Sequence, residues 1–385
     1  MSDRKILIGV DASNILSGCG LRHLVELIRH SGKYINQRAE IVVWAPKSTV
    51  KEYSLPSGVR VIGVPEFEIN LYRRFLWRQQ FMKPFIRKYC DVLFVPGGIG
   101  LSVAVPQITM SQNMQPFDRA ERRREGVGRK RWRLEILRWL QSRSFERSES
   151  VIFLSKYAQE EVCRKLRRTP NYKIIPHGVD SQFHSAGVSR DYSSGFRVLY
   201  VSSVNKYKNQ VQVVQACAAL RNQGLSFKLE LVGRGAGAYH SSVISEIKKA
   251  NNSAGNEFIA YVGEKDFSKL PGIYESSDIF VFASSCENLP NILIEAMAAR
   301  LPIACASVRP MTDVLGSAGV YFDPLRPSEI ASTLEKLIND AELRAQCGRD
   351  AGLLAQRYSW DVCAKDTIEL LINTAQNGLS TEARV

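Results

Sequence analysis

The chain has 385 residues, of which 45% are hydrophobic; at roughly 150 residues per domain, this suggests two or three domains with buried cores. No run of about 18 apolar residues occurs and the charged opening stretch leads directly into a short strand, so we expect neither a membrane-spanning segment nor a signal peptide. The eight cysteines are scattered without a CxxC pair, which argues against a disulfide framework or structural zinc, and the net charge of +14 calls for an anionic partner or a solvated basic face.

The basic residues are concentrated in two stretches, 71–90 and 117–147. Trp77, Trp132 and Trp139 lie among their arginines, and such mixtures at helical spacing are typical of helices that lie on an anionic membrane surface. A nucleic acid and a pair of solvated helix faces are the alternatives. Because the sequence contains no RNA- or DNA-binding motif, the membrane surface is the partner we expect.

Short runs rich in Val and Ile alternate with helical patterns along the whole chain. Near-continuous apolar strands separated by helices indicate parallel sheets that are covered on both faces. The candidate strands are 5–11, 40–46, 59–64, 91–98, 107–111, 150–155 and 173–178 in the first half, and 197–203, 228–235, 258–263, 278–285, 302–306 and 320–323 in the second.

Because the pattern occurs twice, the expected fold is α/β, with two doubly wound Rossmann-like domains facing across a cleft. The polar stretch 184–195 lacks apolar periodicity and marks the boundary, which gives an N-terminal domain over 1–188 and a C-terminal domain over 189–359. A final helix, about 360–378, is expected to pack back on the N-terminal domain. Ligands of open parallel sheets bind beyond the carboxyl ends of the strands, so the expected site is the cleft.

Two loops after strands have the composition of anion sites. Gly18 and Gly20 would let backbone amides approach an anion at the start of a helix, although a tight turn explains them equally well. Lys206 and Lys208 stand immediately before another helix, where a cation opposes the helix dipole unless an anion lies between them. A bound diphosphate would resolve that conflict; a solvated lysine is the alternative.

The stretch "CENLPNILIEAMAAR" carries Glu287 and Glu295 with seven residues between them. Pro290 suits the first helical position, which leaves the amides of Asn291 and Ile292 free to meet a phosphate. Glu295 then lies about one and a half turns into the helix. A ligand with hydroxyls at both ends and phosphates in the middle matches this order, which describes a sugar nucleotide: Glu287 toward the sugar, and Glu295 toward the ribose diol.

At these motifs the sequence resembles the retaining glycosyltransferases of family four, which have the GT-B architecture. "ENLPNILIEAMAARLPI" matches the family's E-x7-E signature, and "LYVSSVNKYKN" matches its strand and phosphate-binding lysine. "SGCGLRHLVELI" and "SQNMQPFD" resemble the glycine loop and the mid-domain loop of its polysaccharide-building members. The resemblance covers nearly the whole chain and is strongest over 196–360.

The resemblance implies a set of site residues. It assigns catalysis to Glu287 and Lys208, and donor binding to Glu295, Ser203, Lys206, Gly18, Gly20, Gly233, Leu289, Asn291 and Ile292. It places His23 and Asn113 in the acceptor or sugar pocket, with a packing role for His23 as an equal alternative. Three departures stand out: Ser203 replaces a common Arg, so phosphate binding is expected to rely on Lys206; Gln112–Asn113 replaces a common His; and Cys19 replaces a glycine.

The implied function is transfer of a hexose from a UDP- or GDP-sugar to a lipid-linked or saccharide acceptor, with retention of configuration, in surface polysaccharide biosynthesis of the O-antigen, lipopolysaccharide or capsule type. No Asp-x-Asp is present, so we expect neither a metal nor another cofactor, and Lys208 with helix N-termini would stabilise the leaving diphosphate. The expected location is the cytoplasm, peripheral on the inner face of the plasma membrane.

Two other classes remain open. One is another GT-B enzyme, such as a sugar-nucleotide epimerase or a phosphorylase. The other is a non-enzymatic nucleic-acid binder that uses the basic face. The sequence does not name the sugar, the nucleotide or the acceptor.

Overall fold

A computed structural model describes residues 4–184 and 195–382. The chain forms two compact units, Met1–Gly178 with Ser359–Val385, and Val179–Tyr358. Each unit is built on one parallel sheet with helices between the strands, so the predicted class of two Rossmann-like α/β domains is confirmed. The predicted boundary between residues 188 and 189 lies outside the described residues. Among the helices described, none has the length and apolar character to cross a bilayer.

The first unit contains seven strands and eight α-helices among its described residues. The strands are β1 (Ile6–Asp11), β2 (Ala39–Pro46), β3 (Val59–Val64), β4 (Val92–Val95), β5 (Gln107–Ser111), β6 (Ser150–Phe153) and β7 (Tyr172–Ile174). The first seven helices are α1 (Gly18–Ile35), α2 (Glu66–Ile69), α3 (Leu71–Trp77), α4 (Lys83–Tyr89), α5 (Arg119–Arg124), α6 (Arg129–Arg147) and α7 (Lys156–Cys163). The order across the sheet is β3-β2-β1-β4-β5-β6-β7.

The second unit contains six strands and seven α-helices among its described residues. The strands are β8 (Phe196–Val201), β9 (Phe227–Val232), β10 (Ile259–Gly263), β11 (Ile279–Phe282), β12 (Ile303–Ala306) and β13 (Gly319–Phe322). The helices are α8 (Gln210–Asn222), α9 (Gly237–Ala254), α10 (Leu270–Glu275), α11 (Asn291–Ala298), α12 (Met311–Leu315), α13 (Pro327–Asn339) and α14 (Ala341–Ala355). The order across the sheet is β10-β9-β8-β11-β12-β13.

The eighth helix of the first unit, α15 (Trp360–Glu382), follows the second unit in sequence. It packs on α1 and against β1 and β4, the centre of the first sheet. Its inward face is apolar and includes Ile368, Leu371 and Ile372, each no more than 2% exposed. The helix predicted over about 360–378 therefore completes one face of the first unit.

The central strands show why the apolar runs became strands. Every residue of β4 and of β11 is buried, because helices cover both faces of a parallel sheet at its centre. The strands end earlier than predicted, however: β4 stops at Val95 and β11 at Phe282. The residues that follow, Pro96–Gly97–Gly98 and Ala283–Ser284–Ser285, form loops at the carboxyl edge.

The two basic stretches are helical but interrupted. The first divides into α3, a π-helical turn over Arg78–Met82, and α4, and the second divides into α5 and α6 at Gly126, whose φ is +69°. Two arginines of the first stretch point inward, contrary to a solvated helix face. Arg74 donates through Nε to the carbonyl of Phe67 (3.1 Å), and Arg78 pairs with buried Asp11.

Candidate functional site

The second sheet reverses its direction of growth between β8 and β11. From β8 the chain proceeds to β9 and β10 on one side, whereas β11 leads to β12 and β13 on the other. Open α/β sheets bind ligands in the crevice at such a switch point, beyond the carboxyl ends of the strands. The loops that follow β8 and β11 carry Lys208 and Glu287, the two predicted catalytic residues.

Lys208 and Glu287 form an ion pair between Nζ and Oε1. Lys208 is only 4% exposed, and its ammonium lies 5.2 Å from the ring centroids of both Tyr207 and Phe282. Ser284 donates a second hydrogen bond to the same carboxylate oxygen, at 2.6 Å. A buried ammonium needs a negative partner, and the carboxylate of Glu287 supplies it.

Asn209 ties the two loops together. Its backbone is left-handed, with φ +54°, and its side chain is fully buried. The amide Nδ2 donates to the carbonyl of Ala283 (2.7 Å) and to Ser285 Oγ (3.3 Å). In return, the backbone N–H of Ser285 donates to the carbonyl of Tyr207 (2.8 Å). These bonds fix the loop that carries Lys208 against the loop that carries Glu287.

Gly233 lets a third loop approach the site. Its φ is +142°, and a Cβ at this position would lie 2.0 Å from the carbonyl oxygen of Ser202. The N–H of Val204 donates to the carbonyl of Arg234 (2.8 Å), which extends the pairing of β8 and β9 into their loops. Only glycine permits this contact between the backbones.

The start of α11 differs from the prediction at Pro290. This residue is the extended residue before the helix, with φ −82° and ψ 94°, and Asn291 is the first helical residue. The N–H groups of Leu293 and Ile294 both return to the carbonyl of Pro290. Within the described residues, the N–H groups of Asn291 and Ile292 have no backbone or side-chain acceptor. Asn291 Oδ1 is buried and accepts no hydrogen bond from those residues. The helix thus begins one residue later than predicted, but the two amides predicted to meet a phosphate remain free.

Glu295 lies on α11 and is held from the neighbouring helix α10. The hydroxyl of Tyr274, which is fully buried, donates to Glu295 Oε2 at 3.0 Å. Leu289 is also buried, at 7% exposure, whereas Ser203 and Lys206 are exposed in the loop after β8. Ser203 Oγ accepts a hydrogen bond from Asn205 Nδ2 (3.0 Å).

In the first unit, the predicted glycine loop meets the predicted mid-domain loop. A Cβ on Gly20 would lie 2.8 Å from Gln112 Oε1, so the glycine permits that approach. Gly18 begins α1 with φ +71° and open space around it. Asn113 is exposed, and its Oδ1 accepts the N–H of Gln115 (3.0 Å).

His23 is in the core, which favours the packing role. It is 1% exposed, its Nδ1 lies 3.3 Å from His177 Nδ1, and both rings pack near Trp360. Burial, and secondly the nearby His177, lower the pKa of His23 from 6.5 to about 3. A neutral ring enclosed in this way cannot reach an acceptor without rearrangement of the core.

Sequence reasoning missed the polar groups whose partners are far away in the chain. Asp11 ends β1 and binds Arg78, whose guanidinium also donates to the carbonyl of Ile99 (3.0 Å) at the switch point of the first sheet. Asn209 and Tyr274 were likewise not singled out, and Ser284 was missed although its partner Glu287 is only three residues away. The one local signal was Asn209 itself, since Asn before a helix is suited to a left-handed residue. In the part of the chain that is described, no group of three or more His, Cys, Asp or Glu side chains could hold a metal ion.

The segment that carries Lys208 and Glu287 is similar to known proteins. Residues 187–354 match the profile of the family described as "Glycosyl transferases group 1". The O-antigen chain mannosyltransferase B of Escherichia coli is 25% identical over 226 residues, which are 58% of this chain and 57% of that protein. The chain spans less than two thirds of the curated relatives it matches first.

Two solved structures have the same fold along almost the whole chain. Sucrose-phosphate synthase from Thermosynechococcus elongatus superposes with a TM-score of 0.77 at 16% identity, covering 95% of this chain and 98% of that one. Anabaena HepE in complex with UDP-glucose gives 0.68 at 17% identity, covering 99% and 100%.

Proposed function

We propose that the protein is a retaining glycosyltransferase that moves a hexose from a UDP- or GDP-sugar to a lipid-linked or saccharide acceptor. The observation that carries this proposal is the Lys208–Glu287 pair at the switch point of the second sheet, inside the segment that matches the group 1 glycosyltransferase profile. A buried cation and a carboxylate at a ligand-binding crevice provide the two contacts that a sugar nucleotide needs at its reacting bond.

Lys208 would stabilise the leaving diphosphate. Charge develops on the phosphate oxygen as the sugar–oxygen bond breaks, and a preorganised cation in a dry site is well suited to stabilise it. Entry of the diphosphate would give Lys208 a new anionic partner and release Glu287. The released carboxylate, still held by Ser284, would then accept hydrogen bonds from the sugar hydroxyls.

The start of α11 would bind the rest of the diphosphate, and Glu295 the ribose. The free amides of Asn291 and Ile292 lie at the N-terminus of α11, where backbone N–H groups commonly bind phosphate. Glu295 lies one turn further on, where Tyr274 orients one carboxylate oxygen. We propose that this electrostatic support makes a metal unnecessary and that retention proceeds by front-side attack, with the leaving phosphate accepting the proton of the acceptor.

The acceptor and the location are proposed from two further observations. The name of the E. coli relative refers to O-antigen, which suggests a surface polysaccharide of that type. In the first unit, helix α6 exposes Trp132 (69%), Ile136 (56%) and Trp139 (56%) among its basic residues. We propose that this helix rests on the inner face of the plasma membrane, so that a lipid-linked acceptor comes within reach.

Three substitutions test the proposed donor site. Glu295→Ala should weaken UDP or GDP binding roughly ten- to hundredfold, since a hydrogen bond to a charged group contributes about 1.5–3 kcal/mol. Glu287→Ala should leave nucleotide affinity nearly intact but reduce turnover, and Lys208→Ala should reduce turnover most. Glu257→Ala, an exposed glutamate before β10, is the control. Calorimetry with the nucleotides and assays with their sugars provide the measurements.

Equal loss of nucleotide affinity in Glu287→Ala and Glu295→Ala would refute the assigned division of roles. Activity that disappeared with a chelator and returned with magnesium or manganese would refute the metal-free mechanism. Release of free or phosphorylated sugar without an acceptor, at the rate of the full reaction, would favour an epimerase or a phosphorylase instead.

A further inference from the structure

Two neighbouring cavities lie on either side of the C-terminal half of α6. One has a volume of about 400 Å³ and reaches Gly100 and Gln107, and the other, of about 440 Å³, reaches Lys165 and Arg167. Trp139, Arg143 and Arg147 line both. Each volume is within the usual range for a small-ligand site, which is about 300–1,000 Å³.

The second cavity, and the part of the first that Gln107 and Ser148 line, are at the opposite edge of the sheet from the expected catalytic face, whereas residues 99–102 of the first cavity follow β4. Gln107 is the first residue of β5, Ser148 precedes β6 by two residues, and Arg167 precedes β7. In a parallel sheet all strands begin at one edge, and substrates bind at the other. A ligand in the second cavity would therefore be neither the donor nor the reacting end of the acceptor.

The second cavity has an excess of positive charge. Its lining includes the cations Arg138, Arg143, Arg147, Lys165 and Arg167 against one carboxylate, Glu146. Arg138 and Lys165 have carboxylate partners elsewhere, in Glu135 and Glu161. Within residues 4–184 and 195–382, the guanidinium groups of Arg143, Arg147 and Arg167 have none.

Three unpaired guanidinium groups around one cavity repel one another, and an anion between them would relieve that repulsion. The helix dipole accounts for a cation at Arg147, the last residue of α6, but not for Arg167 across the cavity. Glu146, whose Oε1 accepts the backbone N–H of Arg167 (2.7 Å), supplies one negative charge against these three guanidinium groups, so the cavity keeps an excess of positive charge. Guanidinium groups suit phosphate in particular, since their paired N–H donors match its oxygens.

The walls beside these arginines are apolar. Trp139 is 56% exposed, and the Arg143 guanidinium lies 5.0 Å from its ring centroid. Trp139 continues the exposed apolar line of α6 that begins at Trp132 and Ile136, with Leu140 (36%) next to it. A phosphate site that merges with an exposed apolar stripe fits a ligand that has both a phosphate and acyl chains.

We propose that Arg143, Arg147 and Arg167, together with Trp139, form a binding site for the phosphate of an anionic phospholipid. This inference rests on the membrane part of the proposed function and gives that contact a specific lipid site. One lipid held at the C-terminal end of α6 would fix how the helix is rotated and directed on the bilayer, which net charge alone does not do.

The test compares two triple variants with the same loss of charge. Arg143→Gln/Arg147→Gln/Arg167→Gln removes the site, and Lys47→Gln/Lys51→Gln/Arg60→Gln removes three exposed cations elsewhere in the first unit. The probes are dihexanoyl phosphatidylglycerol as a monomer, glycerol 1-phosphate, and vesicles of phosphatidylcholine with or without phosphatidylglycerol. Tryptophan fluorescence in parent and Trp139→Phe proteins reports binding at the site.

We expect the site variant to lose at least about tenfold in affinity for the short-chain lipid and the control to keep it, because charge-assisted bonds to phosphate are the stronger class. We also expect Trp139→Phe to lose the fluorescence response. Equal loss in both triple variants would show that only net charge matters, and would overturn the site while leaving membrane binding intact. Glycerol 1-phosphate binding as tightly as the lipid would overturn the phospholipid assignment. Failure of the parent to bind either the lipid or the anionic vesicles would overturn both proposals, whereas donor binding, measured separately, would still stand.

Discussion

At the scale of single residues, the site depends on side chains that orient others. Lys208 and Glu287 are separated by 79 positions, and their loops are fixed by Asn209, whose amide reaches Ala283 and Ser285. The left-handed backbone at position 209 costs no energy in glycine, less in asparagine than in most residues, and more in the others. Its presence there, fully buried, is explained by the inter-loop bonds that only its side chain makes.

Asn209→Gly isolates those bonds, because glycine adopts the same backbone without strain. We expect turnover to fall about tenfold or more for each 1.5 kcal/mol or so by which misalignment of the pair raises the activation free energy. Nucleotide affinity should change little, since α11 is untouched. Asn209→Ala should show the same kinetic defect and a further loss of stability of about 1–2 kcal/mol from the backbone. Asn36→Gly, at a positive-φ asparagine of the first unit, is the matched control. Parental turnover in Asn209→Gly would show that the network does not position the pair.

At the scale of elements, the sequence predicted the structures that depend on the pattern of neighbouring residues. Apolar continuity located all thirteen described strands, from the edge strand β7 to the central β4 and β11. It did not locate the end of β11, because Ala283, Ser284 and Ser285 are no less compatible with a strand than with a loop, and for β4 the prediction ran past the turn signal Pro96–Gly97–Gly98. Nor could it pair Tyr274 with Glu295 or Asn209 with Ala283, since those bonds depend on which strands become neighbours.

Helix α6 shows the same division between local pattern and tertiary context. Its periodicity buries Leu134, Gln141 and Phe145 on one side. The opposite side exposes Trp132 and Ile136, one turn apart, to solvent. Large apolar side chains in contiguous exposed positions indicate a binding surface more often than a free one.

Replacement of Trp132 and Ile136 by Ser should therefore weaken binding to anionic vesicles without destabilising the fold. Burial of such a side chain contributes about 1.5–3 kcal/mol, so we expect a loss of at least tenfold in partitioning. Leu353→Ser/Val362→Ser, at two exposed apolar residues outside α6, is the control for hydrophobicity alone (63% and 56% exposed). Sedimentation with vesicles at low and high salt is the measurement. Unchanged partitioning of the α6 variant would return this face to a solvated role.

At the scale of the whole molecule, the cluster of His23, His177 and Trp360 joins three distant segments of the first unit. Because the pKa of His23 falls to about 3 in the folded chain, the unfolded state takes up more protons between pH 3 and 6.5. Stability contributed by the neutral ring is therefore present above pH 6.5 and is lost as the pH falls through that window.

From the shift at His23 we expect the first unit to lose on the order of 2 kcal/mol between pH 7 and pH 5, since each pKa unit corresponds to about 1.4 kcal/mol. His23→Leu should flatten the dependence of the free energy of unfolding on pH, whatever the stability of that variant at neutral pH. His184→Leu, at an exposed histidine, is the control and should keep the dependence. Urea unfolding followed by tryptophan fluorescence measures it, because all five tryptophans belong to the first unit. An equal pH slope in parent and His23→Leu would contradict the assignment.

The placement of α15 has a consequence for biosynthesis. The second unit interrupts the first in sequence, so the ribosome makes all of Val179–Tyr358 before it makes the helix that covers β1 and β4. Until then the apolar face under Ile368 and Leu371 has no cover, and a nascent chain in that state is exposed to aggregation and to chaperones. Deletion of residues 360–385 should accordingly leave the second unit folded, although the deleted helix follows it directly in the sequence. Proteolysis should instead attack the first unit, on which the helix packs. Mass spectrometry of the protected fragments would show which of the two survives.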